Sequence, residues 1–324
     1  MAFLMLVRIL YHDRCFDGAV SAAVFSDFYH RHIDPTAVFE WTGLFHSSNQ
    51  KFDLSVLDGD ENVIVDFKYC AYDKLTWWFD HHQSAFLSVE DEAHFRCDRS
   101  GRKFYDSSYG SCTKLIADIL GKEFGYDSSH LGKLIHWADI IDGARYKSAE
   151  EAVLMSEPAM KLTLVLEAAP DNPTKDVITL LRVEPLEEIL QKPNFKSCFD
   201  ELYEKHLESI EIIRKRSIAE GAVLFFDLVD TKLKGYNKFI PYYLFPDSSY
   251  TVSIADAGFR TKISVGSNPW ALHPPKHNLA TLCERFGGGG HPRVGAISLG
   301  PGEIERARGM ARSIISELKE SIHS

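Results

Sequence analysis

Three short apolar runs in the first eighty residues, LMLVRILY (4–11), NVIVDF (62–67) and LTWWF (75–79), deliver acidic or histidine side chains at or just past their ends. Runs of this length, bounded by polar stops, read as strands buried on both faces, which is the pattern of a parallel sheet. Segments with helical spacing follow: GAVSAAVFSDFYHR (18–31), YGSCTKLIADILGKEF (109–124) and HLGKLIHWADIID (130–142). Strands alternating with helices predict an α/β domain, a parallel sheet with helices on both faces. Ligands of such sheets bind beyond the carboxyl ends of the strands. The residues at those ends therefore carry the functional question.

After about residue 150 the texture is helical, as in DVITLLRVEPLEEILQK (176–192). The segment KSCFDELYEKHLESIEIIRKRS (196–217) spaces charges around Leu202, Ile210 and Ile213 and reads as a helix bridging two domains. Beyond it, GAVLFFDLVD, YTVSIADAG and TKISVGS are strand-like, and GEIERARGMARSIISELKESI (302–322) is a final helix with Pro301 and Gly302 at its start. The expected division is a first domain over 1–190, a linker helix over 191–217 and a smaller α+β domain over 218–324.

With 324 residues the chain can build two ordinary cores. It contains no apolar run of the roughly 18 residues that a membrane span needs, and its N-terminus reads as a strand, not a signal peptide. Six scattered cysteines are expected as reduced thiols, consistent with a cytoplasmic protein. The net charge of −10 falls on residues 1–216, whereas 217–324 are slightly basic. That balance disfavours a groove for long duplex nucleic acid and leaves room for a short anionic ligand.

The strand ends collect a specific chemistry. The first run leads into His12, Asp13, Cys15 and Asp17; the second holds Asp66; the third leads into Asp80, His81 and His82. Asp139 and Asp142 stand near the end of one helix. A lone aspartate at a strand end is usually a cap, a histidine pair is often structural, and acids three apart can be a solvated helix face. Three strand ends finishing in the same chemistry argue for a shared site. Mixed carboxylate and imidazole donors suit Mn²⁺, Fe²⁺ or Zn²⁺ better than Ca²⁺. A carboxylate shared between two ions would make a two-metal hydrolytic centre.

A second signal is RFGGGGHPRVGAISLG (285–300). Its glycines, Gly288, Gly289 and Gly290 among them, can open backbone N–H groups to an anion, with His291, Arg285 and Arg293 adding donors. The plainer alternative is a tight turn between a helix and a strand.

Together these residues resemble the DHH phosphoesterases of the DHHA1-containing subgroup. Asp80-His81-His82 is the name-giving triplet, His12…Asp17-Gly18 matches the first motif and Asp66 the second. Asp139 stands at the fourth, with Asp142 the alternative, and Gly288-Gly289-Gly290-His291 matches the DHHA1 signature. The motifs keep the family's order and span residues 12–291. The resemblance implies a parallel-sheet DHH domain and a smaller DHHA1 domain across a cleft. It also implies hydrolysis of phosphodiester or phosphoanhydride bonds with Mn²⁺, two ions being expected. The compact length is similar to the stand-alone nano-RNase or RecJ-like phosphodiesterase type. Implied substrates are short RNAs, 3′-phosphoadenosine 5′-phosphate, and linear or cyclic dinucleotides, with no membrane partner; a homodimer is left open.

The resemblance further implies metal binding by His12, Asp17, Asp66, Asp80 and Asp139, with catalytic roles for Asp80, His81 and His82. Gly288, Gly289, Gly290, His291, Arg260, Arg285 and Arg293 would hold substrate. Two departures stand out. Cys15 occupies the place of the family's first loop aspartate; as a metal ligand its softer thiolate favours Zn²⁺ or Fe²⁺ over Mn²⁺, so the second metal is expected to be weaker, different or absent, or partly compensated by Asp13. Gly266 stands where relatives often carry arginine. Two alternative functions are a phosphoanhydride hydrolase of the exopolyphosphatase or pyrophosphatase type and a non-catalytic nucleotide sensor.

Overall fold

The three apolar runs are neighbours in one sheet. The computed structural model describes residues 4–46, 52–233, 235–272 and 276–320; residues 1–3 and positions 321–322 of the expected last helix lie outside them. Contacts divide the chain into two compact units, Met1–Tyr146 with Met155–Leu202, and Lys147–Leu154 with Tyr203–Ser324.

In the first unit the chain forms β1 (Leu6–His12), α1 (Phe16–His32), β2 (Val38–Leu44), β3 (Glu61–Val65) and β4 (Leu75–Asp80). It continues through α2 (Val89–Cys97), β5 (Lys103–Tyr105), α3 (Cys112–Phe124) and α4 (Gly132–Asp142). After α5 (Ala149–Leu154) come α6 (Pro158–Ala168), α7 (Thr174–Leu181), α8 (Leu186–Ile189) and α9 (Pro193–Arg216). The strand order is β2-β1-β3-β4-β5, all parallel. The expected parallel sheet is thus present, with two strands the apolar pattern did not reveal. Both are edge strands: β2 has no fully buried residue, and β5 is three residues long. Neither position demands an apolar run.

Register decides the site. Tyr11 pairs with Val65, and Val65 with Phe79. One residue further along each strand, His12, Asp66 and Asp80 therefore fall in a single row across adjacent strand ends. The sheet is clamped on both faces. Trp77 and Phe79 turn to α1, where Phe25 lies 5.5 and 5.8 Å away by ring centroid, and Trp78 turns to the opposite face against Phe95 of α2 at 5.1 Å. Trp78 Nε1 donates to the Phe67 carbonyl, so its one polar atom is satisfied in the core. Truncating such a residue to alanine costs about 3–5 kcal/mol. Phe16 through Tyr29 of α1 are all buried. Small residues on every side let α3, α4 and α7 close around it.

The second unit continues from the latter part of α9 into β6 (Ile218–Glu220), β7 (Val223–Asp227), α10 (Ile240–Leu244), β8 (Tyr250–Asp256) and β9 (Thr261–Ser267). It ends with α11 (Leu279–Glu284), β10 (Gly289–His291), β11 (Val294–Leu299) and α12 (Ile304–Glu320). Its sheet, β10-β11-β9-β8-β7-β6, is antiparallel except between β7 and β8. Ala307, Ala311, Ile314, Ile315 and Leu318, one stripe of α12, pack with Val252, Ile254, Ile263, Val265 and Ile297. The early segment Lys147–Leu154 belongs to this unit, where the Ala152 carbonyl accepts from Asn237 and the Val153 carbonyl from His206.

Candidate metal centre

At the row of strand ends the chain spends buried polar atoms without pairing them. His12 Nδ1, both carboxylate oxygens of Asp66, Asp80 Oδ2 and His81 Nε2 are buried without a hydrogen-bond partner. An unpaired buried polar group costs about 1–3 kcal/mol, more when charged. Several such atoms around one point argue for a ligand that is not a protein atom. The donors are carboxylate, imidazole and thiol. Three groups of ligand atoms each lie within 4.8 Å of one another: His12, Cys15 and Asp66; Asp66, His81 and His82; and Asp17, His81 and Asp142. The residues fit one or two divalent cations.

Local structure explains the aim of each side chain. Asp66 leaves β3 with φ +55, a left-handed conformation that aspartate tolerates better than most residues. Its N–H donates to the Phe79 carbonyl at 3.0 Å. Held there, the carboxylate lies 3.4 Å from His12 Nδ1 and 3.6 Å from His81 Nε2. Burial opposes its charge, but the His12 and His81 imidazoles beside it, with His82, outweigh burial and hold its pKa well below the usual carboxylate value.

Asp80 shapes the turn after β4. Its Oδ1 accepts from the backbone N–H of His81 and of His82 and lies 2.7 Å from His82 Nδ1. His81 Nδ1 faces the Tyr109 carbonyl at 3.1 Å. A carbonyl only accepts, so Nδ1 carries the proton and Nε2 is the nitrogen presented to the acids, the usual second contact of a metal-binding histidine. Nε2 lies 3.2 Å from Asp142, 3.6 Å from Asp66 and 3.8 Å from Asp17. Burial works against the imidazolium, but these carboxylates raise the His81 pKa to about 11. His82 is raised to about 9, against burial, by Asp80 and Asp66. Burial and the neighbouring carboxylates Asp66, Asp142 and Asp17 push the Cys15 thiol well up.

The expected ligands are placed unevenly. Asp139 is outside the three groups: its Oδ2 accepts from Arg145 Nη1 at 2.7 Å while its Oδ1 is buried without a partner, and the acid nearest His81 is Asp142, three residues later. Asp80 is also outside them and acts on the two histidines. Asp17 joins a group, yet both its oxygens accept from the N–H groups of Cys112 and Thr113 at the start of α3. Asp13 accepts from Arg14 N and Asn172 Nδ2 and lies outside the three groups.

The glycine run is not an open anion turn. Gly287 N–H and Gly288 N–H cap α11 on the Glu284 and Cys283 carbonyls, and Gly289–His291 pair with β11. A Cβ on Gly288 would lie 2.2 Å from the Ala296 carbonyl oxygen, so close packing accounts for that glycine. His291 and Arg293 are exposed at the hairpin tip, Arg285 pairs with Glu317, and Arg260 lies over the Phe259 ring. At Gly266 the space a side chain would need is filled by the Tyr242 hydroxyl, 2.6 Å from an added Cβ.

Sequence reasoning missed His46. Its ring stacks on Phe67 at 4.5 Å and lies 4.7 Å from the His12 ring. Burial, with His12 and His82 nearby, lowers its pKa to about 4. No motif marks it; it follows β2, the strand the apolar pattern did not show.

No family model and no curated protein sequence matches the chain. Solved structures do. A pGpG-specific phosphodiesterase, PggH from Vibrio cholerae, superposes with a TM-score of 0.68 at 16% identity, covering 96% of this chain and 99% of that one. The DHH domain of a member of the s1p family of ribosomal proteins gives 0.58 at 13% identity, over 96% and 86% of the two chains. The fold is that of the DHH-domain proteins. RecJ from Thermus thermophilus, solved with Mn²⁺, gives 0.50 at 11% identity; this chain aligns over 97% of its length with 52% of RecJ. The DHH fold accords with the resemblance read from the motifs. Among the described residues, no helix is long and apolar enough to cross a membrane.

Proposed function

We propose that this DHH-fold protein is a divalent-metal-dependent phosphoesterase acting on the phosphodiester bonds of short nucleotides. The observation that carries the reading is the set of unpaired buried donors on His12, Asp66, Asp80 and His81 at three adjacent strand ends. Its similarity in fold to a pGpG-specific phosphodiesterase and to RecJ solved with Mn²⁺ supports a linear dinucleotide as first substrate and Mn²⁺ as first metal.

Asp66 would be common to two ligand groups, one with His12 and Cys15 and one with His81 and His82, while Asp17 and Asp142 would join through His81. A cation held there supplies Lewis acidity, lowering the pKa of water and offsetting charge on the phosphoryl oxygens. The chain supplies the rest. Tyr109 fixes Nε2 as the nitrogen that His81 presents to the centre, and Asp80 holds the His82 ring through Nδ1, so that an imidazole not bound to a cation is placed to offset charge on the phosphoryl oxygens. His291 and Arg293, exposed on the second unit, remain the proposed contacts for a substrate phosphate. We keep Arg260 and Arg285 as proposals of the same kind, with Gly288–Gly290 as the turn that sets the His291 tip.

The test is purified protein with Mn²⁺ on pGpG, 3′-phosphoadenosine 5′-phosphate, a cyclic dinucleotide and polyphosphate. Metal-dependent cleavage of the linear dinucleotide, abolished by Asp66→Asn and strongly reduced by Asp80→Asn, is expected. Turnover of polyphosphate alone would move the reading to a phosphoanhydride hydrolase. Tight nucleotide binding without hydrolysis or metal would make the protein a sensor.

A further inference from the structure

The donors of the candidate centre are not equivalent. The group on the β1 side holds one sulfur, Cys15 Sγ, with a nitrogen of His12 and an oxygen of Asp66; the other two groups contain only imidazole and carboxylate atoms. The first shares with them only Asp66, whose two oxygens are both buried and unpaired. Cys15 occupies the N-cap position of α1 with extended backbone, φ −122 and ψ 136, where the Gly18 N–H lies beside its thiol but no regular side-chain cap forms. Serine, threonine, aspartate and asparagine stabilise that position, and cysteine does not. By contrast, Cys112 directs its Sγ to the Phe79 carbonyl.

Thiolate, imidazole and carboxylate together favour borderline-soft ions, whereas oxygen-rich sets suit Mn²⁺ and Mg²⁺. We infer that His12, Cys15 and Asp66 form a thiolate-containing position selecting Zn²⁺, Co²⁺ or Fe²⁺, beside an imidazole–carboxylate position on Asp66, His81 and His82 that accepts Mn²⁺. The inference rests on the metal-dependent reading above. It assigns the two positions different ions, with Asp66 facing both. Because affinity for Zn²⁺ exceeds that for Mn²⁺ at most sites, the selective feature is the ratio between the positions, which is larger where sulfur binds.

The test uses the full chain, stripped by chelation and titrated anaerobically with Co²⁺. A near-ultraviolet thiolate-to-cobalt charge-transfer band is expected, lost on adding Zn²⁺ and retained under an excess of Mn²⁺. The band is expected to vanish in Cys15→Ser and to survive in Cys112→Ser. Cys15→Asp keeps an anionic donor, so it is expected to bind Co²⁺ without the band and to shift its preference toward Mn²⁺. Visible cobalt bands without charge transfer, or a band that persists in Cys15→Ser, would overturn the thiolate position and leave the metal-dependent reading standing. Dialysis followed by metal analysis showing that neither Co²⁺ nor Mn²⁺ is retained would overturn both.

Discussion

Asp142 Oδ2 lies 3.2 Å from His81 Nε2, while Asp139, three residues earlier on α4, accepts from Arg145 through its Oδ2. The two acids therefore differ in role although both stand near one helix end. Asp142→Asn is expected to weaken metal binding by at least the roughly 10–100-fold that loss of an outer-shell partner costs. Asp139→Asn, which disturbs Arg145, is expected to change metal affinity little. Equilibrium dialysis with metal analysis separates them, and a larger loss in Asp139→Asn would return the ligand role to Asp139.

Asp17 caps a helix from a distance of nearly a hundred residues, accepting from Cys112 N at 2.7 Å and Thr113 N at 3.0 Å. Asp17→Ala leaves two buried N–H groups unpaired and is expected to cost about 1–3 kcal/mol for each. Asp17→Asn keeps one acceptor and is expected to lose less. Urea denaturation of the metal-free protein measures both. Equal stability of Asp17→Ala and wild type would make the residue solely a ligand.

Gly18 lies in the first turn of α1, where an added Cβ would stand 2.1 Å from the His12 carbonyl oxygen. Backbone cannot yield there as a flexible side chain would. Gly18→Ala is expected to destabilise by about 1–3 kcal/mol and to weaken metal binding, because the shift moves both His12 and Asp17. A thermal melt together with a Mn²⁺ titration checks this, and an unchanged metal affinity would argue against the coupling.

The metal-free protein is expected to lose stability as pH rises. The folded pKa values of His81, about 11, and His82, about 9, lie above their ordinary 6.5. Their contribution is full below about pH 6.5 and is lost as pH climbs through 9 and 11. Asp17, raised by burial and by Asp66 and Asp142, acts in the same direction. Asp66, held low, contributes above its ordinary 3.8 and loses that contribution only in acid. Bound metal replaces protons as the countercharge, so Mn²⁺ should flatten the alkaline decline. Denaturation midpoints from pH 6 to 10, with and without chelator, check the sign; a chelated protein growing more stable over that range would contradict it.

Much of this was legible in the chain. The apolar runs ending at His12, Asp66 and Asp80 imply a parallel sheet with polar strand ends, because only strands buried on both faces need unbroken apolar side chains. The stripe of Ala307, Ala311, Ile314, Ile315 and Leu318 likewise marks an amphipathic helix. What the pattern could not show was β2, whose edge position needs no apolar run, and with it His46. Local spacing also could not choose between Asp139 and Asp142, since three residues of helix separate them by less than a turn.

The glycine run shows the other limit. Four glycines permit both an open anion loop and a helix cap leading into a hairpin, and composition does not distinguish them. The neighbours of Gly288 and Gly290 decide, since only glycine lets the chain approach the Ala296 and Val294 carbonyl oxygens so closely. Sequence by itself determined which chemistry reaches the strand ends, because residue type and strand period are local properties. Tertiary structure decided which atoms share a point. Strand register brings His12, Asp66 and Asp80 into one row, and Tyr109 turns His81 toward Asp142, through contacts between residues far apart in the chain.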